Sequence, residues 1–259
     1  MTVRQDQEHK PRNVCLIAGG SGGIGRACAL EMARTGSNVA IGYRSNRAAA
    51  QETLDDALAF GVAGSLHPLD LDDSEQIEST ITACQKTYGE IASVIYAVGS
   101  AIPMQWISRI EQETFQEVMD ADVGGFFRLI SAIIPALRKS SGSVVAITSA
   151  GLQRYPARDI LSVAPKAAIE QLVRGIAKEE GRHGIRANTI GVGVVDAGMF
   201  LRLKESELSQ EWVDAATENA ALKRIGSGEE IGRVARFLAS SDASYVTGQF
   251  IAVDGGYSI

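Results

Sequence analysis

The stretch Ala18-Gly19-Gly20-Ser21-Gly22-Gly23-Ile24-Gly25 lies between an apolar run at residues 13–18 and an amphipathic segment at residues 24–35. A strand that turns sharply through glycines into a helix is a restrictive arrangement. Without Cβ atoms the backbone can approach a pyrophosphate, whose charge then faces the free N–H groups of the first helical turn. Glycine-rich turns are common, so the strand–turn–helix context gives this one its meaning. It predicts a phosphate cradle formed by Gly19, Ser21, Gly23, Ile24 and Gly25.

The same rhythm continues along the chain. Short apolar runs at 38–43, 65–69, 93–98, 143–148, 185–190 and 249–253 read as strands. Between them, helical patterns cover 47–60, 74–88, 112–139, 160–181 and 229–239, the third a long helical region. Asp73 with Gln76 three residues on reads as a capping-box-like start for the helix at 74–88. Apolar strands alternating with crossover helices predict an α/β fold: a single-domain, doubly wound parallel sheet of about seven strands, flanked by helices. No repeat or Pro/Ser-rich linker divides residues 13–259, and the polar segment 1–12 reads as a frayed tail. Segment 199–219 breaks the rhythm. Its apolar residues Phe200, Leu203, Leu208, Trp212 and Val213 follow the sixth strand, near the sheet edge where ligands bind in such folds. It is expected to act as a substrate lid, the alternative being an extra surface helix.

Several function classes are excluded. A net charge of −6 argues against nucleic-acid or anionic-membrane partners, which need clustered cations. No apolar run approaches the roughly 18 residues needed to span a bilayer. Cys15, Cys28 and Cys84 show no Cys-x-x-Cys spacing, and the three histidines are scattered. Buried thiols in a reducing cytoplasm are expected, with no metal site.

The end of the second strand refines the ligand. An acid about 20 residues past the glycines would hold the ribose hydroxyls of NAD. Here the chain reads Gly42-Tyr43-Arg44-Ser45-Asn46. Arg44 can grip a 2′-phosphate with two parallel hydrogen bonds, which favours NADP(H) over NAD(H). The alternative is a solvated surface arginine.

These residues resemble the short-chain dehydrogenase/reductase family over nearly the whole chain. The family's Thr-Gly-x-x-x-Gly-x-Gly is similar to Ala18-Gly19 through Gly23 and Gly25, with the threonine lost. Asp70 matches an adenine-contacting aspartate, with Leu71 beside it. Tyr96-Ala97-Val98-Gly99 aligns with Asn-Asn-Ala-Gly, keeping the final glycine. The active-site serine falls on Ser149, the lysine on Lys166, and the near-terminal motif on Gly248-Gln249 and Val253-Asp254-Gly255-Gly256. The resemblance also places Ala97, Val98, Gly99, Lys166, Gly193 and Val195 at the cofactor, and it implies a homotetramer or dimer built on the helices at 112–139 and 160–181.

The departures cluster in the nicotinamide and substrate half. In Ser162-Val163-Ala164-Pro165-Lys166, Ser162 replaces the tyrosine of Tyr-x-x-x-Lys. Asp122 replaces a helix asparagine, Val192 a proline and Ala197 a threonine. In the family the lysine holds the ribose and makes the tyrosine a better acid. A serine hydroxyl is a far weaker acid than a phenol and too short to reach the same point. Some relatives carry Ser-x-x-x-Lys and supply a tyrosine from upstream, and here Tyr155 lies in a loop that can point inward. Others use Tyr-x6-Lys, but that position is Asp159. The catalytic candidates are therefore Ser149, Lys166, Tyr155, Ser162 and Asp122, the last read as a structural partner of Lys166 or as a general base. The expected activity is NADPH-dependent reduction of an activated C=C bond in an enoyl thioester or enone. There hydride goes to carbon, and the carbonyl oxygen needs only hydrogen bonds. The alternatives are a carbonyl or ketoacyl reductase using another acid, and a non-redox NADP(H)-binding protein. The partner is a small molecule in every case. Arg202 and Lys204 are weak grounds for a carrier phosphate.

Overall fold

A parallel sheet at the centre of the molecule has the strand order β3-β2-β1-β4-β5-β6-β7, seven strands among the described residues. The structure is a computed structural model that describes residues 13–206 and 209–259, so the tail expected over residues 1–12 lies outside it. The strands are β1 (Val14–Ala18), β2 (Asn38–Tyr43), β3 (Gly64–Pro68), β4 (Ile91–Tyr96), β5 (Ser143–Ser149), β6 (Arg186–Val192) and β7 (Phe250–Val253). Every pairing is parallel, and the order reverses between β1 and β4. That switch point opens a crevice beyond the carboxyl ends of the two strands.

The apolar runs are continuous because both sheet faces are covered. Side chains alternate across a strand. Val14, Leu16 and Ala18 therefore join one core with Ile77 and Ile81 of α3 (Ser74–Tyr88), Phe126, Leu129 and Ile133 of α5 (Gly125–Ser140), and Ile169 of α6 (Ile160–Glu180). Cys15 and Ile17 face the other way. They pack with Cys28 and Met32 of α1 (Gly23–Arg34), Leu54 of α2 (Arg47–Leu58), and Ile231 and Leu238 of α9 (Gly228–Ala239). The three cysteines are free and buried, and burial pushes the Cys15 and Cys84 thiols up to about 12. They are inert packing residues, as expected.

Three expectations gain detail. The helical region read over 112–139 is present, with an interruption. After α4 (Gln112–Met119), residues Asp120–Gly124 form a π-helical turn before α5 begins. At this turn the buried Tyr96 hydroxyl donates to the Asp122 carbonyl at 2.9 Å, a tertiary contact beside the backbone bond that the carbonyl accepts from the Gly125 N–H. Second, Asp73 caps α3 through the Glu75 and Gln76 N–H groups, but the box is not reciprocal. The Gln76 side chain donates to Asp73 and accepts from the Asp70 N–H, because the Asp73 N–H is already bonded to the Asp70 carbonyl. Third, segment 199–219 is two helices, α7 (Met199–Ser206) and α8 (Gln210–Asn219), the second capped by Ser209. Phe200 and Trp212 join them with ring centroids 6.4 Å apart. Leu208 and the side chains of Arg202 and Leu203 lie outside the described residues.

Among the described residues no helix is long and apolar enough to cross a membrane, and no cluster of metal-ligating side chains occurs.

Candidate active site

One cavity of about 1370 Å³ runs along the carboxyl edge of the sheet, from the end of β2 to α7 and α8. That exceeds the roughly 300–1,000 Å³ of an ordinary small-molecule pocket, leaving room for a dinucleotide beside a substrate. Every residue expected at the cofactor or in catalysis lines it, except Gly25.

At the switch point the Gly19 and Gly20 N–H groups both donate to the Gly42 carbonyl, which turns the chain back from β1. Gly19 has φ +84°, and a Cβ there would lie 2.6 Å from the Ala97 carbonyl oxygen. Gly25 sits beneath the loop, and a Cβ on it would collide with the Gly19 carbonyl oxygen. It shapes the cradle from behind. α1 starts without a side-chain cap and without an acid in its first turn. Its leading N–H groups are thus left for an anion. This cradle, which side chains would fill, fits a pyrophosphate.

Beyond β2, Arg44 is exposed and joins no ion pair among the described residues. Ser45 and Asn46 stand next to it on the cavity wall. The Asn46 side chain is already engaged, accepting from Ala49 N–H as the cap of α2. Asp70 is set by the turn into α3: its N–H donates to Gln76, and its carboxylate accepts from Asp72 N–H at 3.1 Å. Leu71 follows on the same wall, and Ala97, Val98 and Gly99 form the floor after β4.

The other end is organised around Lys166 on α6. Its ammonium donates to the Val98 carbonyl at 2.8 Å and to Asp122 Oδ2 at 3.1 Å. Asp122 Oδ1 accepts from the Ser100 N–H at 3.0 Å and the Ser100 hydroxyl at 2.7 Å. The lysine and aspartate side chains are only 10% and 4% exposed, so this is a buried pair with each oxygen satisfied. The π-turn aims Asp122 inward. The structural-partner alternative for Asp122 therefore matches the geometry, and Ser100 is a member of the constellation that sequence reasoning missed.

Ser149 ends β5, and its Oγ accepts from the Gly151 N–H at 3.0 Å. One lone pair is thereby occupied, and the hydroxyl hydrogen is free to turn toward the cavity that Ser149 lines. Ser162 is partly buried in the first turn of α6. Its N–H donates to the Asp159 carbonyl, and its hydroxyl has no partner among the described residues. Tyr155 lies at the mouth with 53% of its surface exposed. Gly193 and Val195 line the wall after β6, held by Gly193 N–H to the Val253 carbonyl and by a bridge from Val195 to Gly226. Asp159, the N-cap residue of α6, also lines the cavity, and its side chain makes no capping hydrogen bond. Burial pushes its carboxyl up to about 7. The only signal for it in the sequence was its place seven residues before Lys166.

A family profile described as enoyl-(acyl carrier protein) reductase matches residues 18–258. The chain is 32% identical to the 3-oxoacyl-[acyl-carrier-protein] reductase of Chlamydia muridarum, over 93% of this chain and 95% of the relative. It is 31% identical to the enzyme of the same name from Thermotoga maritima, over 95% and 98% of the two chains. Among solved structures, levodione reductase superposes with a TM-score of 0.89 at 27% identity, covering 95% of this chain and 97% of that one. A short-chain type dehydrogenase/reductase from Mycobacterium ulcerans gives 0.88 at 25%, covering 95% and 90%. The fold, the glycine cradle and these matches agree: the chain belongs to the short-chain dehydrogenase/reductase family, whose members are oxidoreductases that use nicotinamide cofactors.

Proposed function

We propose that the protein is an NADP(H)-dependent reductase of a carbonyl group, with a 3-oxoacyl thioester as the substrate class to test first. The observation that carries this reading is the continuous cavity. It joins the glycine cradle and Arg44 at one end to Ser149, Ser162 and Lys166 at the other. The relatives named as 3-oxoacyl reductases, matched over nearly their full length, support the substrate class. The C=C reduction expected from the sequence finds no support among them, whereas its carbonyl alternative fits.

When bound, the cofactor supplies a hydride to the substrate. The chain does the rest. Gly19, Ser21, Gly23 and Ile24, with Gly25 behind them, would hold the pyrophosphate, Arg44, Ser45 and Asn46 the 2′-phosphate, and Asp70 and Leu71 the adenine. Ala97, Val98, Gly99, Gly193 and Val195 would hold the nicotinamide half. Lys166 has three N–H donors, two of them used by Val98 and Asp122. The third is left for a ribose hydroxyl. Asp122 positions that lysine, and the outward hydrogen of Ser149 meets the substrate oxygen. Ser162 acts as a short hydrogen-bonding spacer and Tyr155 as a wall at the mouth. Segment 199–219 serves as the lid, since Met199, Phe200 and Trp212 line the cavity rim. We place the enzyme in the cytoplasm as a homo-oligomer, with the outward phenyl groups Phe115 and Phe127 of α4 and α5 as contact residues.

The test is NADPH oxidation by the purified protein with acetoacetyl-CoA and crotonyl-CoA, thioesters of equal chain length. Consumption with the keto member, giving the hydroxy product, is expected. Consumption with crotonyl-CoA alone would replace this reading by conjugate reduction. No consumption while NADPH still binds would favour a non-redox role.

A further inference from the structure

We propose that Asp159 is the acid of this site, donating the proton that the substrate oxygen takes up as the carbonyl is reduced. The inference rests on the carbonyl reading above. Ser162 stands as the third residue of α6 where the resemblance implies a tyrosine, so no phenol is present there and the cavity must find its proton elsewhere. Asp159 stands one turn before Ser162 on the same helix, about 4.5 Å along its axis. At about 100° per residue, seven residues return to within about 20° of the starting direction, so Asp159 and Lys166 share one helix face. Both line the cavity that Ser149 also lines.

The position is unusual in a second way. Aspartate at an N-cap normally accepts hydrogen bonds from the first free N–H groups of its helix, which holds it ionised. The Asp159 side chain makes no such bond, and no ion pair reaches it among the described residues. The apolar cluster at this end of α6 is Ile102, Val118 and Leu161, with Ile160 and Met199 packed against it. Desolvation is therefore unopposed, and the carboxyl keeps its proton up to about pH 7. The other titratable groups on this half of the cavity are Arg154, Tyr155 and Arg158 from the preceding loop, Tyr257 from the C-terminus, and the Asp122–Lys166 pair. Arg154 is engaged by the Tyr257 carbonyl and Asn219, and Lys166 by Asp122. Arg44, Asp70 and Asp72 lie at the adenosine end. Tyr155, over half exposed on its loop, is the poorer donor.

The step balances. The carbonyl carbon gains a hydride and its two electrons, and the π pair moves to oxygen. That oxygen forms its O–H bond as the Asp159 O–H bond breaks. The substrate is reduced and the nicotinamide oxidised, and the carboxylate regains a proton from water.

Asp159→Asn removes the proton and keeps the shape. With acetoacetyl-CoA we expect kcat to fall by about 100-fold or more, the usual range for a lost general acid, with KM and NADPH affinity within about threefold. The parent's kcat should decline as pH rises through about 7, with the limb absent in Asp159→Asn and restored in Asp159→Glu. Independently of activity, an infrared titration of the cofactor-free parent should show a protonated-carboxyl band lost near pH 7, and Asp159→Asn should lack it. Asp159→Asn turnover within about threefold of the parent with the limb intact would overturn the proposal and leave the carbonyl reading standing, as would absence of that band. A parent that reduces crotonyl-CoA but no ketone would overturn the carbonyl reading, and the role given to Asp159 with it.

Discussion

Asp122→Asn gives this chain the residue the family resemblance places at that position, and the geometry requires it to be damaging here. The carboxylate accepts on both sides: Oδ1 from the Ser100 N–H and hydroxyl, Oδ2 from the Lys166 ammonium. An amide has one acceptor and one pure donor. If its oxygen faces Ser100, its NH2 confronts an ammonium at about the present 3.1 Å. If it is flipped, the NH2 meets the Ser100 N–H, which cannot rotate away. In the first orientation Lys166 keeps only the Val98 carbonyl as a protein acceptor; in the second it keeps a neutral amide oxygen at the cost of the Ser100 clash, and in both the buried ammonium loses its counter-charge.

Removing one partner from a buried pair costs about 3–5 kcal/mol, and a hydrogen bond to a charged group contributes about 1.5–3. Part of that is recovered by the bonds Ser100 keeps and by water entering beside Lys166. A net loss of about 2–4 kcal/mol follows. At about 2–4 °C per kcal/mol for a chain of this size, the Tm of the cofactor-free protein at pH 7 should fall by about 5–15 °C. The parent's Tm should change little with added salt, because the pair is shielded from solvent ions. Replacing both members by apolar residues, Asp122→Leu with Lys166→Met, should cost less than the sum of the single changes, which identifies the coupling. Thermal and urea unfolding of the four proteins checks this. A stability of Asp122→Asn within about 0.5 kcal/mol of the parent would refute the reasoning, because an uncompensated buried ammonium cannot cost so little.

Arg44→Ala should weaken NADPH binding by about 10- to 100-fold, the equivalent of one or two charge-assisted hydrogen bonds, while leaving NADH affinity nearly unchanged. Fluorescence titration separates these, and an equal loss for both would place Arg44 away from the 2′-phosphate. Gly25→Ala puts a methyl into the Gly19 carbonyl. It should raise the Kd of both dinucleotides more than tenfold, and unimpaired binding would show that the cradle does not depend on that contact. For Asp159 the folded value of about 7 lies above the unfolded value near 4. The group's stabilising contribution is therefore full below pH 4 and is lost as pH rises through 7. Between pH 5 and 8 the parent should lose roughly 1–2 kcal/mol relative to Asp159→Asn, after allowing for partial exposure. Urea midpoints at the two pH values test this, and superimposable profiles would contradict it.

The sheet was legible because its signal is local. Val14 to Ala18 and Ile91 to Tyr96 are apolar at every step as strands buried on both faces must be, and a glycine turn before a helix leaves few alternatives. The cradle and Arg44 followed from their places at strand ends, and Ser149 and Lys166 from the family resemblance. The interruption at Asp122 was not legible, since helical periodicity over residues 112–139 carries no mark of a π-helical turn or of its contact with Tyr96, 26 residues away. Asp159 was hidden for a related reason. Aspartate before a helix reads as a cap, and only the fold shows that this one makes no cap and is partly withdrawn from water.

These two residues explain each other chemically. A carboxylate at position 122 binds Lys166 directly, where the family resemblance implies an asparagine. On the function proposed above, the proton then does not come through position 162, where the resemblance implies a tyrosine and Ser162 stands. What the site still needs is an acid that exchanges with solvent by its own route. Asp159, at the outer end of the same helix face and beside the partly exposed loop 154–158, is placed to do that. The altered residues thus form one set. Restoring the tyrosine alone, by Ser162→Tyr, should not raise turnover unless Asp122→Asn accompanies it; a single Ser162→Tyr variant faster than the parent would break this link.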